Sequence, residues 1–435
     1  MGKYCISPDR AASGVEKKVI YQLFLRAFTH EATLAAATEK LPHLASLGVD
    51  IIYFAAFCEA DVDTDRTHWS PRQIKSGIDN PRNPYRISDY TRIDPQYGTN
   101  EEFRAFVARA HELGMEVMID LVYLHCGPGK FVELHPDFVQ RDENGEIIYN
   151  NYHFPQIDFN NPAACEYFWD NMCYWVREFD VDGFRMDMGA RAPLSFWAEG
   201  RRRTDAIKPG MIYLCEGETP EFLEEVFDIN YSFTWAGVLR PVIRGERSHH
   251  YLRKAYEGVK AQAPDGGRCL YLYENHDYTN ESYEHRVDLT HPANTEAALV
   301  LNFVMDGVAL LYNGNELGDH TRHSIWSLPG DGLSIDWSLA ETESGQRRLA
   351  LVKQLIALKH EDPLFHAASL TFEKDDRLAV IHREYEGKNL LALFCFAGEG
   401  SYPAPTNGEV ILSANSRCEG SEILLTAGGY TLIEY

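Results

Sequence analysis

The chain reads as an α/β protein built on a (β/α)8 barrel, and three observations predict this. Eight short apolar runs with strand character recur along the first three quarters of the sequence. Segments with helical spacing of apolar residues separate them, which is the alternation of a parallel sheet. At 435 residues the chain is long enough for a closed barrel plus an appended unit.

The strands are taken in order. Val19–Leu25 is rich in β-favouring residues, and a helical pattern over Glu31–Leu47 follows and stops at Gly48. Val49–Phe54 is the second buried run. A helix over Glu101–Leu113 ends at Gly114, and Glu116–Val122 is the third strand. A helix at Ala163–Phe179, a strand at Val181–Met186, a helix near Leu194–Ile207 and a strand at Met211–Cys215 continue the alternation. Val226–Asn230, Cys269–Tyr273 and Val308–Tyr312 complete eight strands. Residues 126–161 lack a long helical period and read as a small inserted domain over the C-terminal face of the barrel. The barrel is then expected from 1–125 and 162–365. After the helix Gln346–Lys359 the pattern becomes short alternating runs (Leu378–Glu384, Leu390–Phe396, Glu409–Leu412, Tyr430–Glu434), so 366–435 is expected to be a β-sandwich domain.

Composition excludes some partners. The net charge of −24 opposes binding to nucleic acid or to anionic membranes, both of which need a basic surface. No apolar run approaches the ~20 residues of a membrane-spanning helix, and the N-terminal residues lack the apolar core of a signal peptide. Nine cysteines without paired spacing suit reduced thiols, hence a cytoplasmic location. No cofactor motif and no metal-ligand spacing stands out.

Three carboxylates carry the functional signal. Asp187 closes the run Val181–Asp187, Glu216 closes Met211–Glu216, and Asp277 follows Cys269–Tyr273. Asp120 and His125 lie on the third strand run. Carboxylates gathered at one face of a parallel barrel suit cleavage of a glycosidic bond. One attacks the sugar or activates water, another gives a proton to the leaving oxygen, and negative charge steadies an oxocarbenium-like transition state. Arg185 lies two residues before Asp187, on the same strand face, where its guanidinium can hold Asp187 as an anion. Plainer readings apply to the neighbours. Asp182 suits a structural turn, Glu218 competes weakly with Glu216 for the acid role, Glu274 can brace the site, and Cys126 fits no thiol chemistry here.

In order, Asp120-Leu-Val-Tyr-Leu-His125, Gly183-Phe-Arg-Met-Asp187, Cys215-Glu-Gly217 and Glu274-Asn-His-Asp277 resemble the four signatures of glycoside hydrolase family 13, the α-amylase family. Gln156-Ile-Asp-Phe-Asn160, Gly307–Glu316, Asn83–Tyr90 and Tyr97-Gly-Thr99 resemble its supporting segments. The resemblance implies Asp187 as nucleophile, Glu216 as general acid/base and Asp277 as stabiliser of the transition state. It implies His125 and His276 as hydroxyl-binding residues, Tyr85 as the ring stacked on the cleaved sugar, and Asp120 and Arg185 in support. The implied activity is retaining hydrolysis of α-glucan oligosaccharides, foremost at α-1,4 links. Transfer to another sugar, or action on sucrose, trehalose or α-1,6 links, uses the same intermediate. A catalytically inactive barrel used for binding is the rival from another class, and it should have lost one of the three carboxylates.

Three positions depart from the family pattern. Leu124 stands where a calcium-binding Asn is usual, so no metal is expected. Met188-Gly-Ala-Arg191 replaces the usual residues after the nucleophile. Arg86 follows Tyr85 where many exo-acting members carry an Asp that reads the terminal sugar. An Arg cannot accept hydrogen bonds, so the first products are expected to include fragments larger than glucose unless an Asp of the 61–80 loop (Asp61, Asp63, Asp65, Asp79) substitutes.

Overall fold

A computed structural model describes residues 14–263, 268–282, 286 and 290–435. Strand β1 (Val19–Leu23) leads through the helix Leu34–Leu47 to β2 (Ile51–Phe54). An antiparallel pair, β3 (Cys58–Val62) and β4 (Arg82–Ile93), interrupts the alternation, and the short helix Pro71–Ser76 lies between its strands. The helix Asn100–Glu112 then leads to β5 (Glu116–Leu121). Next come β6 (Gly183–Met186), β7 (Ile212–Cys215), β8 (Ile229–Tyr231), β9 (Arg268–Tyr271) and β10 (Val308–Tyr312). Eight parallel strands close in the order β1-β10-β9-β8-β7-β6-β5-β2. The eight expected barrel strands are all present, the weakest shifted from Val226–Asn230 to Ile229–Tyr231.

Every residue of β1, β2, β6, β7, β8 and β10 is buried, because the barrel interior and the surrounding helices cover both faces. The helices begin where the sequence offers caps. Thr99 Oγ1 accepts from Glu102 N while the Glu102 carboxylate accepts from Thr99 N, a reciprocal capping box. Asn161 caps Pro162–Phe179, whose first residue is a proline with no N–H to leave unpaired.

The 61–80 segment, read as a loop, carries ordered structure. Its strand partners are ten or more residues apart and one of them alternates poorly, so period alone does not show the pair. The 126–161 excursion docks on it by backbone. Gly127 N donates to Ile87 O at 2.8 Å, and Gly129 N donates to Asp61 Oδ2 at 2.7 Å. A Cβ on Gly127 would lie 2.4 Å from Asp61 Oδ2 and 2.9 Å from the Arg86 carbonyl, so only glycine permits this approach.

The C-terminal strands are hydrogen-bonded into one six-stranded antiparallel sheet. Its strands are β11 (Ser369–Glu373), β12 (Ala379–Tyr385), β13 (Lys388–Cys395), β14 (Glu399–Pro403), β15 (Glu409–Glu419) and β16 (Glu422–Glu434). The length of β16 ties the sheet together. One of its edges pairs β13 over residues 429–434 and β14 over 422–426, while its other edge pairs β15. Gly428, at φ 75°, lies between the two halves, and a Cβ there would lie 2.4 Å from Ala293 Cβ of the barrel. Alternate residues divide the faces. Ile381, Leu390, Ala392, Phe394 and Leu432 join the barrel core, whereas Val380, Leu391, Leu393, Ile423 and Leu425 form a second cluster. Buried Arg383 anchors the sheet to the barrel by donating to the carbonyls of Val304, Phe365 and Ala368.

Candidate active site

The barrel register brings the key side chains level. Asp120 of β5 is paired with Arg185 of β6, and Met186 of β6 with Cys215 of β7. The next residues on β6 and β7, Asp187 and Glu216, therefore leave the barrel side by side. Arg185 lies beneath both. Its Nη1 donates to Asp120 Oδ1 at 2.7 Å and to Asp187 Oδ1 at 3.0 Å, and its Nη2 lies 3.0 Å from Glu216 Oε2. One buried guanidinium thus binds three carboxylates, and a planar donor fork suits that task.

Above them lies a cleft of about 310 Å³. Asp187, Glu216, Asp277, Tyr85 and His125 line it. Asp120, Arg185 and His276 are buried and do not line it. His276 belongs to a chain of hydrogen bonds behind Tyr85. Gln22 Oε1 accepts from the His276 N–H at 3.2 Å, which orients the amide, so Gln22 Nε2 donates to His276 Nδ1 at 2.8 Å. The ring proton is then on Nε2, directed at Tyr85 Oη at 2.6 Å, and Tyr85 Oη donates to Asp120 Oδ2 at 3.1 Å. Tyr85 is held in place by this chain. His276, expected to face sugar hydroxyls, is buried behind Tyr85 with its Nε2 at the Tyr85 hydroxyl.

Cleft-lining side chains with buried polar atoms that have no hydrogen-bond partner include Asp187 Oδ2, His125 Nδ1 and Trp326 Nε1. Orphaned buried groups are costly unless a ligand completes them. The other His125 nitrogen, Nε2, lies 3.0 Å from Tyr85 O, and its ring stacks on Phe154 at 4.6 Å.

Charge crowding governs the protonation of the site. Burial pushes Asp187 well above the usual carboxylate range, and the Glu216 charge adds to this, while Arg185 opposes both. Burial also raises Asp120 to about 6 against the pull of Arg185. Asp187 and Glu216 share one cation, Arg185. Asp277 differs. Burial raises it, but His276, Arg72 and Arg185 together hold it below the ordinary value, so it remains an anion.

Burial lowers both His125 and His276 to about 4. Their neutral forms contribute stability that is fully present above the unfolded value near 6.5 and is lost as pH falls through about 4. The loss is on the order of 2 kcal/mol per ring between pH 7 and 5. Urea unfolding at the two pH values should show His125→Gln losing less stability than the wild type. An identical loss would mean that His125 titrates normally.

Several residues that sequence reasoning passed over shape the site. Met188, at φ 45°, turns its backbone N–H onto Glu216 Oε2 at 2.5 Å. A non-glycine residue in this conformation is strained, and such strain gathers at functional sites. Tyr152 and Phe154 come from the 126–161 excursion, Phe233 and Tyr278 from the helices Phe233–Ile243 and His276–Ser282 that follow β8 and β9, and Ile325 and Trp326 from the loop after β10. Arg72 enters from the helix Pro71–Ser76. The sequence signals that helix by Ser70, whose Oγ accepts from Gln73 N, and by Pro71 at its first position. Nothing in the sequence shows where the helix points.

The plain readings of the neighbours fit the geometry. Asp182 accepts from Val117 N at 2.7 Å and contacts His111 and Lys208, away from the cleft. Glu218 accepts from both Thr234 N and Thr234 Oγ1 at 2.9 Å, at the start of the helix Phe233–Ile243. Glu274 is held by Arg286 at 2.8 Å and Asn315 at 3.2 Å. Burial pushes the Cys126 thiol up, away from thiolate chemistry. Arg86 turns away from the cleft and pairs with Asp63 at 2.7 Å. Asp61, Asp65 and Asp79 do not line the cleft either. Asp61 docks Gly129, Asp65 caps a short turn, and Asp79 pairs with Arg66.

Leu124 presents no side-chain oxygen, and its carbonyl accepts from Ile157 N at 3.0 Å. Among the described residues no three His, Cys, Asp or Glu side chains are grouped to hold a metal ion. Chelator treatment should therefore leave kcat/KM and the melting temperature unchanged. A fall in either that calcium restores would reveal a site this geometry does not contain.

The model of the α-amylase catalytic domain matches residues 8–142. The α-amylase MalA of Haloarcula japonica is 25% identical over 442 residues, covering 94% of this chain and 60% of that protein. A cyclomaltodextrinase from a Bacillus species is 25% identical over 396 residues, covering 83% and 65%. An intracellular maltogenic amylase of Bacillus subtilis is 26% identical over 355 residues, covering 76% and 55%. The chain thus spans less than two thirds of the length of these relatives. The crystal structure of an α-amylase from Lactobacillus plantarum superposes with a TM-score of 0.78 at 23% identity, covering 97% of this chain and 100% of that one. The barrel, the ordered signature segments and these matches agree: the chain resembles glycoside hydrolase family 13, the α-amylase family, whose catalytic-domain model matches its first third.

Proposed function

We propose that the protein is a retaining α-glycoside hydrolase acting on α-glucan oligosaccharides, foremost at α-1,4 links. The observation that carries this reading is the convergence of Asp187, Glu216 and Asp277 on one cleft, with Asp187 Oδ2 left without a partner. In the first step an Asp187 oxygen attacks the anomeric carbon. The glycosidic C–O bond breaks, and the leaving oxygen takes a proton from Glu216. Asp277, held as an anion, steadies the positive charge that develops on the sugar. In the second step water gives a proton to the Glu216 carboxylate and its oxygen attacks the anomeric carbon. The ester to Asp187 breaks and the enzyme is restored. Tyr85 and His125 serve as sugar contacts, while Asp120, Arg185 and His276 hold the machinery in place.

The placement of Asp187 and Glu216 on one guanidinium suits this cycle. The cycle needs the proton on Glu216 and Asp187 as the attacking anion when the leaving oxygen arrives. A cytoplasmic setting is part of the proposal. The intracellular relative of Bacillus subtilis and eight free cysteines among the described residues, seven of them buried, support it. No helix among the described residues is long and apolar enough to cross a membrane.

The test is product analysis on maltooligosaccharides, sucrose, trehalose and isomaltose, each with and without an added sugar acceptor. The expected result is hydrolysis of maltooligosaccharides with retention of the α-anomer. No turnover of any of them would reject the enzyme reading, and products longer than the substrate would identify a transferase.

A further inference from the structure

The barrel order gives the cleft a direction. Glu216 follows β7, and the leaving group must lie on its side if Glu216 is the proton donor. Around the ring β7 stands opposite β1, which β2 and β10 flank. The wall opposite the proton donor is therefore built from the segments after β2 and β10. Its residues are Ser70, Arg72, Asn83, Ile325 and Trp326. This is where a glucan would continue from the cleaved sugar toward its non-reducing end.

That wall is closed. Arg72 starts on the β2 side and reaches Asp277, which follows β9. Its Nη1 donates to Asp277 Oδ1 at 3.4 Å and its Nη2 to Asp277 O at 3.2 Å. The side chain thus crosses the sector above β1 and β10. Two further ties hold the same seam. Asn80 Nδ2 donates to Trp326 O at 3.2 Å, and Arg322 Nη2 donates to Ser76 O at 2.9 Å. The cleft volume of about 310 Å³ is at the low end for small-molecule sites, roughly 300–1,000 Å³. A groove open at both ends is not what these contacts build.

We propose that Arg72 is a specificity-determining residue that stops the donor end of the cleft, so that the enzyme works from the non-reducing ends of α-glucans and releases short pieces. This rests on the hydrolase reading above. It reverses the expectation drawn from Arg86, whose side chain faces away from the cleft. The stop comes from a cation of the β3–β4 excursion and not from a substitute Asp of that segment. Closing a cleft against the wrong ligand is a common route to specificity.

The experiment uses two nitrophenyl maltoheptaosides, one with a free non-reducing end and one with that end blocked by a 4,6-O-benzylidene group. Both are assayed by chromatography of the cleavage products, with no coupling enzyme present. The wild type should cleave the free-ended substrate at least about tenfold faster in kcat/KM than the blocked one. Arg72→Ala should bring the two rates to within about threefold of each other. Because the ratio is read, any general loss from disturbing Asp277 cancels. Equal cleavage of both substrates by the wild type would overturn the stop, as would an unchanged ratio in folded Arg72→Ala. If Arg72→Ala does not fold, the wild-type ratio alone decides. Failure of the wild type to cleave either substrate would reject the hydrolase reading itself, and the stop with it.

Discussion

Asp187→Asn is expected to abolish turnover, with kcat reduced on the order of 10⁴-fold or more, while the protein stays folded. The loss follows from chemistry, since an amide cannot form the glycosyl ester. Retention of the fold follows from the surroundings. Asp187 Oδ1 accepts from Arg185, its Oδ2 has no partner, and burial and the Glu216 charge already disfavour its ionised form. An isosteric neutral group keeps the contact to Arg185 and removes one of the crowded negative charges. The melting temperature should therefore equal or exceed that of the wild type, as is common where function stores electrostatic strain. Incubation of the wild type with a fluorinated glycosyl donor should leave a covalent sugar on Asp187. A label on Glu216 or Asp277 would overturn the assignment of roles.

Much of this site was legible because barrel strands are short, apolar and punctuated. Each run ends where buried backbone emerges into solvent, so an acid just past the end of a run lies on the C-terminal face. Asp187 and Glu216 are such residues, and the register pairing Met186 with Cys215 puts them side by side. The closeness of Arg185 and Asp187 also followed from period-two geometry, and their contact is 3.0 Å. The protonation balance was harder to read. The expectation of a simply ionised Asp187 considered only Arg185. It did not weigh burial or the charges of Glu216 and Asp120 from neighbouring strands, which no spacing along one strand shows.

What stayed hidden depended on loops. Arg72 lies on a six-residue helix whose cap is visible in Ser70-Pro71, yet its direction depends on how 58–93 packs against the loop after β10. Arg86 was weighed as if it faced the sugar because it follows Tyr85. In an extended strand, neighbours face opposite sides, so the placement of Tyr85 in the cleft sends Arg86 to Asp63 on the other side. The strand order of the C-terminal sheet stayed hidden for a related reason. Runs of alternating residues reveal strands but not which edge each one joins, and β16 is long enough to serve three neighbours.

Glu216→Gln should separate the two halves of the cycle. Glu216 Oε2 lies 2.5 Å from the Met188 N–H and 3.0 Å from Arg185 Nη2, so a transferable proton must sit on Oε1. A glutamine keeps an oxygen for those two donors and presents an amide that can donate a hydrogen bond but cannot release a proton. Natural maltooligosaccharides, whose leaving alkoxide needs protonation, should lose about 10²–10⁴-fold in kcat/KM. A glycosyl fluoride or dinitrophenyl donor needs no such proton and should still glycosylate Asp187 at a rate close to that of the wild type. The variant then lacks a base for the second step, so the intermediate should accumulate as a burst. Azide needs no deprotonation to attack and should speed turnover of the activated donor in Glu216→Gln while leaving the wild type unaffected. Equal losses on both donor types, with no rescue by azide, would remove Glu216 from the acid/base role. Glu218 could not take that role, because both of its oxygens are held by Thr234.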